Sequence, residues 1–174
     1  MTLDFQDLLN DKSAKPKEKT ESLSTWILNN PKKLSDLIAF AGTSKDPIKA
    51  TCIEAMEFAT KTTPGIASPT CLEFVSKTLT EKAPRVKWES ARVVGNIAHL
   101  YPDKLDDAVR NLLVNSEHEG TVVRWSTAFA LGEIIKIKTS RNKTLVPAIE
   151  FICKREEKNS IKKIYLAALK KVKS

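Results

Sequence analysis

VKWESARVVGNI, residues 86–97, returns 37 residues later as VRWSTAFALGEI, residues 123–134. Val86, Ala91, Val94 and Gly95 of the first stretch reappear as Val123, Ala128, Leu131 and Gly132 of the second. Fainter copies lie about one step upstream, at Ile48, Lys49, Ala55 and Met56, and one step downstream, at Ile161, Lys162, Ala168 and Leu169. A period of roughly 20 to 50 residues marks units too small to bury their own apolar faces, which must stack side by side.

Within each copy the apolar residues recur at three and four, the period of a helix. With Val86 at the origin of a helical wheel, Ser90, Val94 and Ile97 share its face, and Ala91 and Ala98 flank it. Gly95 and Gly132 each cost about 1 kcal/mol against alanine inside a helix, so their recurrence points to close backbone packing or to access for a ligand. The separators are turn residues. Pro31 opens one helix and Gly42 closes it, Asp46 and Pro47 start the next, and Pro64, Gly65 and Pro69 break the chain again. No segment reads as a strand. The expected fold is all-α, an α-α superhelix of about four helical hairpins preceded by an N-terminal helix. Residues 1–20 are expected to form a short helix from Leu3 to Leu9 and a solvated linker, and residues 21–174 a single repeat domain.

The second helices resemble those of HEAT repeats, in which Val-Arg is followed by alanines and then by Ala-Leu-Gly. Residues 123–134 follow that pattern closely, residues 86–97 well, and the outer copies loosely. LVPAI at 145–149 is similar to the Leu-x-Pro-x-Leu that begins the family's first helix. The resemblance runs from about Asn30 to Ser174 and implies antiparallel helix pairs whose second helices line a concave face. The acidic residues that typically precede Val-Arg in the family are mostly missing, so the charge partners of Lys49, Lys87, Arg124 and Lys162 are not legible from the sequence.

The net charge of +8 is unevenly placed: residues 1–135 hold 17 Lys and Arg against 18 Asp and Glu, whereas residues 136–174 hold 12 against 3. Two readings fit this excess. Lysines can give a terminal repeat its polar outer face, or they can form a phosphate-attracting site. Cys52, Cys71 and Cys153 are odd in number and never spaced Cys-x-x-Cys, as expected of small buried hydrophobes. No apolar run approaches a membrane span and no secretory pattern opens the chain, which sets a cytosolic location as the expectation.

On the same wheel Trp88, Arg92, Gly95 and His99 fall opposite the core, and Trp125, Phe129, Gly132 and Lys136 hold those places one repeat later. Lys163 stands at the tryptophan position of the last repeat. With Arg124 beside Trp125, these residues nominate a partner-binding surface of Trp88, Arg92, His99, Arg124, Trp125, Phe129 and Lys163. Rigid aromatics next to arginine have the composition of a binding hot spot. The other reading folds Trp88 and Trp125 into the groove between repeats as mutual packing, and has His99 contact the carbonyls of a helix end. Trp26 lacks the repeat pattern and is read as an N-terminal cap contact.

Enzymatic constellations are absent from the linear order. His99 and His118 are the two histidines, neither lies in His-Glu-x-x-His, and five glycines make no phosphate loop. No catalytic residue, metal or cofactor is nominated. The expected function is a non-enzymatic scaffold that binds a protein or peptide through its concave aromatic and basic face. The alternative is nucleic-acid binding, in its sharpest form a relative of the HEAT-like DNA alkylation-repair glycosylases, although no acidic residue stands out between the tryptophans. A third resemblance, to the short repeats of phycobilisome lyases, is weakened by the longer period here. Oligomeric state stays open, since a solenoid end with exposed apolar residues can pair with its twin.

Overall fold

The structure, a computed structural model, describes residues 4–174; Leu3, expected to open the first helix, lies outside them. Ten α-helices are found among the described residues: α1 (Phe5–Asn10), α2 (Pro16–Asn29), α3 (Leu34–Thr43), α4 (Asp46–Thr62), α5 (Pro69–Thr78), α6 (Pro84–Ile97), α7 (Asp106–Asn115), α8 (Thr121–Lys136), α9 (Asn142–Arg155) and α10 (Asn159–Lys173). Seven of the eight prolines sit at the start of a helix or of a short 3-10 turn, which is why the boundaries are so legible. Ser68 caps α5 as expected, its hydroxyl accepting from the Cys71 N–H at 3.3 Å.

The expected N-terminal helix is α2, and it pairs with the short α1 into an abbreviated first hairpin. The linker is confined to residues 11–15. Pro16 starts α2 well before the first apolar residue that periodicity could detect, and the Glu18 carboxylate accepts from the Lys15 N–H at 2.8 Å. Trp26 is buried against Phe5, the rings meeting edge to face at 5.2 Å, as its reading as a cap contact anticipates.

Helices α2, α4, α6, α8 and α10 pack on one another in an unbroken row, whereas α3, α5 and α7 touch more sparsely in a second row. The closer packing of the even-numbered helices marks theirs as the inner row of the stack. Between the rows runs the shared apolar seam, in which Met56, Val94, Leu131 and Leu169 occupy equivalent positions and are all buried. Cys52, Cys71 and Cys153 are buried there as free thiols, and desolvation pushes Cys52 and Cys71 up to about 12. Among the described residues no helix is long and apolar enough to cross a membrane.

Polar contacts between repeats also span about one period. Asn111 donates to the Ser76 carbonyl at 2.9 Å and Asn115 to that of Leu79 at 3.0 Å. A ladder of bases runs along the turn edge, where the second helix of each hairpin reaches an acceptor on the next. Lys49 meets Glu81 at 2.7 Å, Lys87 meets Asn115 at 3.1 Å, and Arg124 meets Glu156 at 3.0 Å. These are the partners that the missing acidic positions left unassigned.

Candidate functional site

The inner row brings Glu57 and Lys61 of α4, Arg92 and Asn96 of α6, and Trp125 and Phe129 of α8 around one cleft of about 260 Å³. Its aromatic wall comes from α8, where a spacing of four sets the two rings on one face, nearly parallel at 16° and 6.3 Å apart. Trp125 keeps 39% of its surface exposed. Arg92 fixes that wall from the neighbouring repeat: its guanidinium lies over the Trp125 ring at 5.5 Å while its Nε donates to the Ser126 hydroxyl at 3.2 Å. Such a contact contributes roughly 0.5–1 kcal/mol at a half-exposed site and costs the ring little of its accessible face.

Gly95 explains the position of Phe129. The Phe129 ring occupies the space that a Cβ at residue 95 would take, so the missing side chain lets the ring lie flat on α6. Gly132 has the same role in the next repeat, where a Cβ would meet that of Ala168 at 3.1 Å. Both glycines therefore serve packing, as their recurrence suggested.

One carboxylate, Glu57, lines the cleft, and Glu54 and Glu89 lie near it. Burial lifts the Glu57 carboxyl above its ordinary range, against the pull of Arg92 and Lys61. Glu89, 4% exposed, is pushed up to about 7 by desolvation, with Glu54 and Glu57 adding like charge. Its Oε1 accepts from the Trp88 indole N–H at 2.9 Å and its Oε2 is buried without a partner. Glu54 is engaged by Arg85. Asn96 is held by its amide, which donates to the Glu57 carbonyl at 3.1 Å and to Thr60 Oγ1 at 3.2 Å.

The structure thus gathers three of the seven nominated residues, Arg92, Trp125 and Phe129. Trp88 is half-buried beside Glu89 and does not line the cleft; the two tryptophans form no ring pair, so the mutual-packing reading does not describe them. His99 sits exposed on the 3-10 turn after α6, outside the cleft, and donates to no carbonyl of its helix end. Lys163 is exposed on α10, one repeat further on. Arg124 is a correction: it is directed to the turn edge, where Glu156 and the carbonyls of His118 and Glu119 engage its donors. A residue next to Trp125 points about 100° away from it on a helix, toward the following hairpin.

Glu57, Asn96 and Glu89 are the residues that sequence reading missed. On the helical wheel of α4, Glu57 and Lys61 hold the positions that Gly95 and His99 hold in α6, which is the available signal. Nothing in the linear order marked Glu89 as buried.

No protein-family model matches the chain, and no characterised protein matches it in sequence. Solved structures share its shape. A designed armadillo repeat protein superimposes with a TM-score of 0.69 at 16% identity, covering 97% of this chain and 80% of that one. A second designed armadillo repeat protein, in complex with a (KR)4 peptide, gives 0.54 at 14% identity over 97% of each chain. The complex of CpcE and CpcF of phycocyanin lyase from Nostoc sp. gives 0.53 at 17% identity, over 78% of this chain and 97% of that one. The chain has the fold of a HEAT/armadillo-like α-solenoid.

Proposed function

We propose that this protein is a non-enzymatic scaffold that holds a peptide segment of a partner protein in the cleft between α4, α6 and α8. The observation that carries the reading is the pre-set wall of Trp125 and Phe129, half open to solvent and pinned by Arg92 before any ligand arrives. A rigid aromatic anchor loses little side-chain freedom on binding, which is the feature shared by hot spots. Asn96 and Lys61 on the rim offer polar contacts to a peptide backbone. The peptide-bound designed armadillo protein supports this use of the fold. Three buried, unpaired thiols accord with a reducing compartment such as the cytosol.

The cleft is lined by two cations, Lys61 and Arg92, beside the carboxylate Glu57, and so lacks the run of bases that the glycosylase reading needs. The test is to pan a library of random peptides on the whole chain and measure the binders on Trp125→Ala. Affinity is expected to fall about 10- to 100-fold while the melting temperature holds. Binders indifferent to both Trp125→Ala and Phe129→Ala, or tight salt-sensitive binding of duplex DNA in their place, would remove the basis for the proposal.

A further inference from the structure

The last hairpin carries a second surface, distinct from the cleft. On α10, Lys162, Leu166, Leu169 and Lys173 recur at helical spacing along a groove of about 480 Å³ between α9 and α10, which Cys153, Lys154 and Glu150 of α9 complete. Leu166 is 56% exposed. The same position is Ala128 in α8, Ala91 in α6 and Ile53 in α4, each at most 1% exposed, in repeats that have a following hairpin to cover them.

The base ladder stops at the same place. Lys49, Lys87 and Arg124 each reach an acceptor on the following hairpin, whereas Lys162, the next rung, has no side-chain partner among the described residues. The charge around it is largely uncompensated. Of the three acidic residues within 136–174, Glu156 is paired with Arg124 and Glu150 with Lys173, which leaves Glu157 against the remaining lysines.

We infer that this end face is a docking seat for an acidic amphipathic helix of a partner protein, which lies where a following repeat would and presents a carboxylate to Lys162. Charge complementarity selects the occupant. An apolar floor beside Lys154 and Lys162, neither of them paired among the described residues, fits leucines flanked by glutamates, and a helix is the element that every inner repeat places at this register. A second copy fits poorly. The exposed residues of α1 and α2 are polar apart from Pro16, so head-to-tail stacking would set Leu166 on a polar face. Tail-to-tail pairing would oppose two lysine rims. Nucleic acid would meet the lysines but leave Leu166 and the apolar floor without a role.

The test uses the full chain and a synthetic 20-residue helical peptide with leucines on one face and glutamates on both flanks, followed by fluorescence anisotropy. Saturable binding is expected. Leu166→Asp should weaken it about tenfold, and Lys162→Glu about fivefold, with the second loss recovered by the lysine-flanked version of the peptide. Both substitutions should leave the thermal melt unchanged, because Leu166 is mostly exposed and Lys162 has no side-chain partner among the described residues. The inference is overturned by absence of binding at about 1 mM peptide or by equal affinity for glutamate- and lysine-flanked peptides. Indifference to Leu166→Asp, capture of a duplex oligonucleotide in preference to the peptide, or a dimer in sedimentation that excludes the peptide overturns it as well.

Discussion

Two glycines inside helices show how far one missing Cβ depends on its neighbours. At Gly95 an added methyl collides with the Phe129 ring, and at Gly42 it meets only Phe74 Cε2 at 3.9 Å. Gly42→Ala is therefore expected to stabilise the chain by about 0.5–1 kcal/mol through helix propensity. Gly95→Ala is expected to destabilise it by about 1–2 kcal/mol, the overpacking outweighing the same gain. Urea unfolding of the two variants reads both signs directly. Glu89 supplies the pH dependence. Its folded pKa near 7 lies above the ordinary carboxylate value, so the folded state binds the proton more tightly than the unfolded chain does. The stabilisation it lends is complete below pH ~4.5 and is lost as pH rises through about 7. Glu89→Gln, which keeps the acceptor for Trp88, should flatten that decline and raise stability at pH 8 by on the order of 2–3 kcal/mol. Unaltered pH dependence in the variant would show that Glu89 is solvated.

At the scale of the element, the seam and the ladder do different work. Apolar positions of the second helices make any two neighbours adhere, and each buried Leu or Val contributes about 1.5–3 kcal/mol without choosing a partner. The ladder adds register. Arg124 and Glu156 are largely buried, at 19% and 5% side-chain exposure, so removing one charge strands the other. Arg124→Met should cost about 2–3 kcal/mol, whereas Lys162→Met, at the equivalent position one repeat on, should cost close to nothing. Paired denaturation curves distinguish a ladder from a row of surface bases, since equal losses would mean that neither depends on a following hairpin. Helix identity was legible here because proline and periodicity are local. The start of α2 was not, because PKEKTES at 16–22 carries its helix signal in a proline and a capping carboxylate and offers no apolar stripe.

At the scale of the whole molecule, contacts run from one hairpin to the next, and stability is expected to be close to a sum of nearest-neighbour terms. The central helices α6 and α8 each have a second helix on both sides, while α10 has one. Native-state hydrogen exchange should therefore be slowest in α6 and α8 and fastest in α1 and the last turn of α10, in graded order. Uniform protection across all ten helices would contradict the additive picture.

What the sequence by itself determined was the array: its period, its all-helical character and the face each second helix turns inward. Those follow from spacing within a single helix, because an apolar stripe that recurs at three and four has to meet a neighbour. Only the tertiary structure decided which polar groups meet. Arg124 and Trp125 are adjacent in the chain yet serve different surfaces, and Glu57, Arg92 and Phe129 converge from three repeats. Each of those pairings spans about one period, and no local pattern records which member of one row of side chains will face which member of the next.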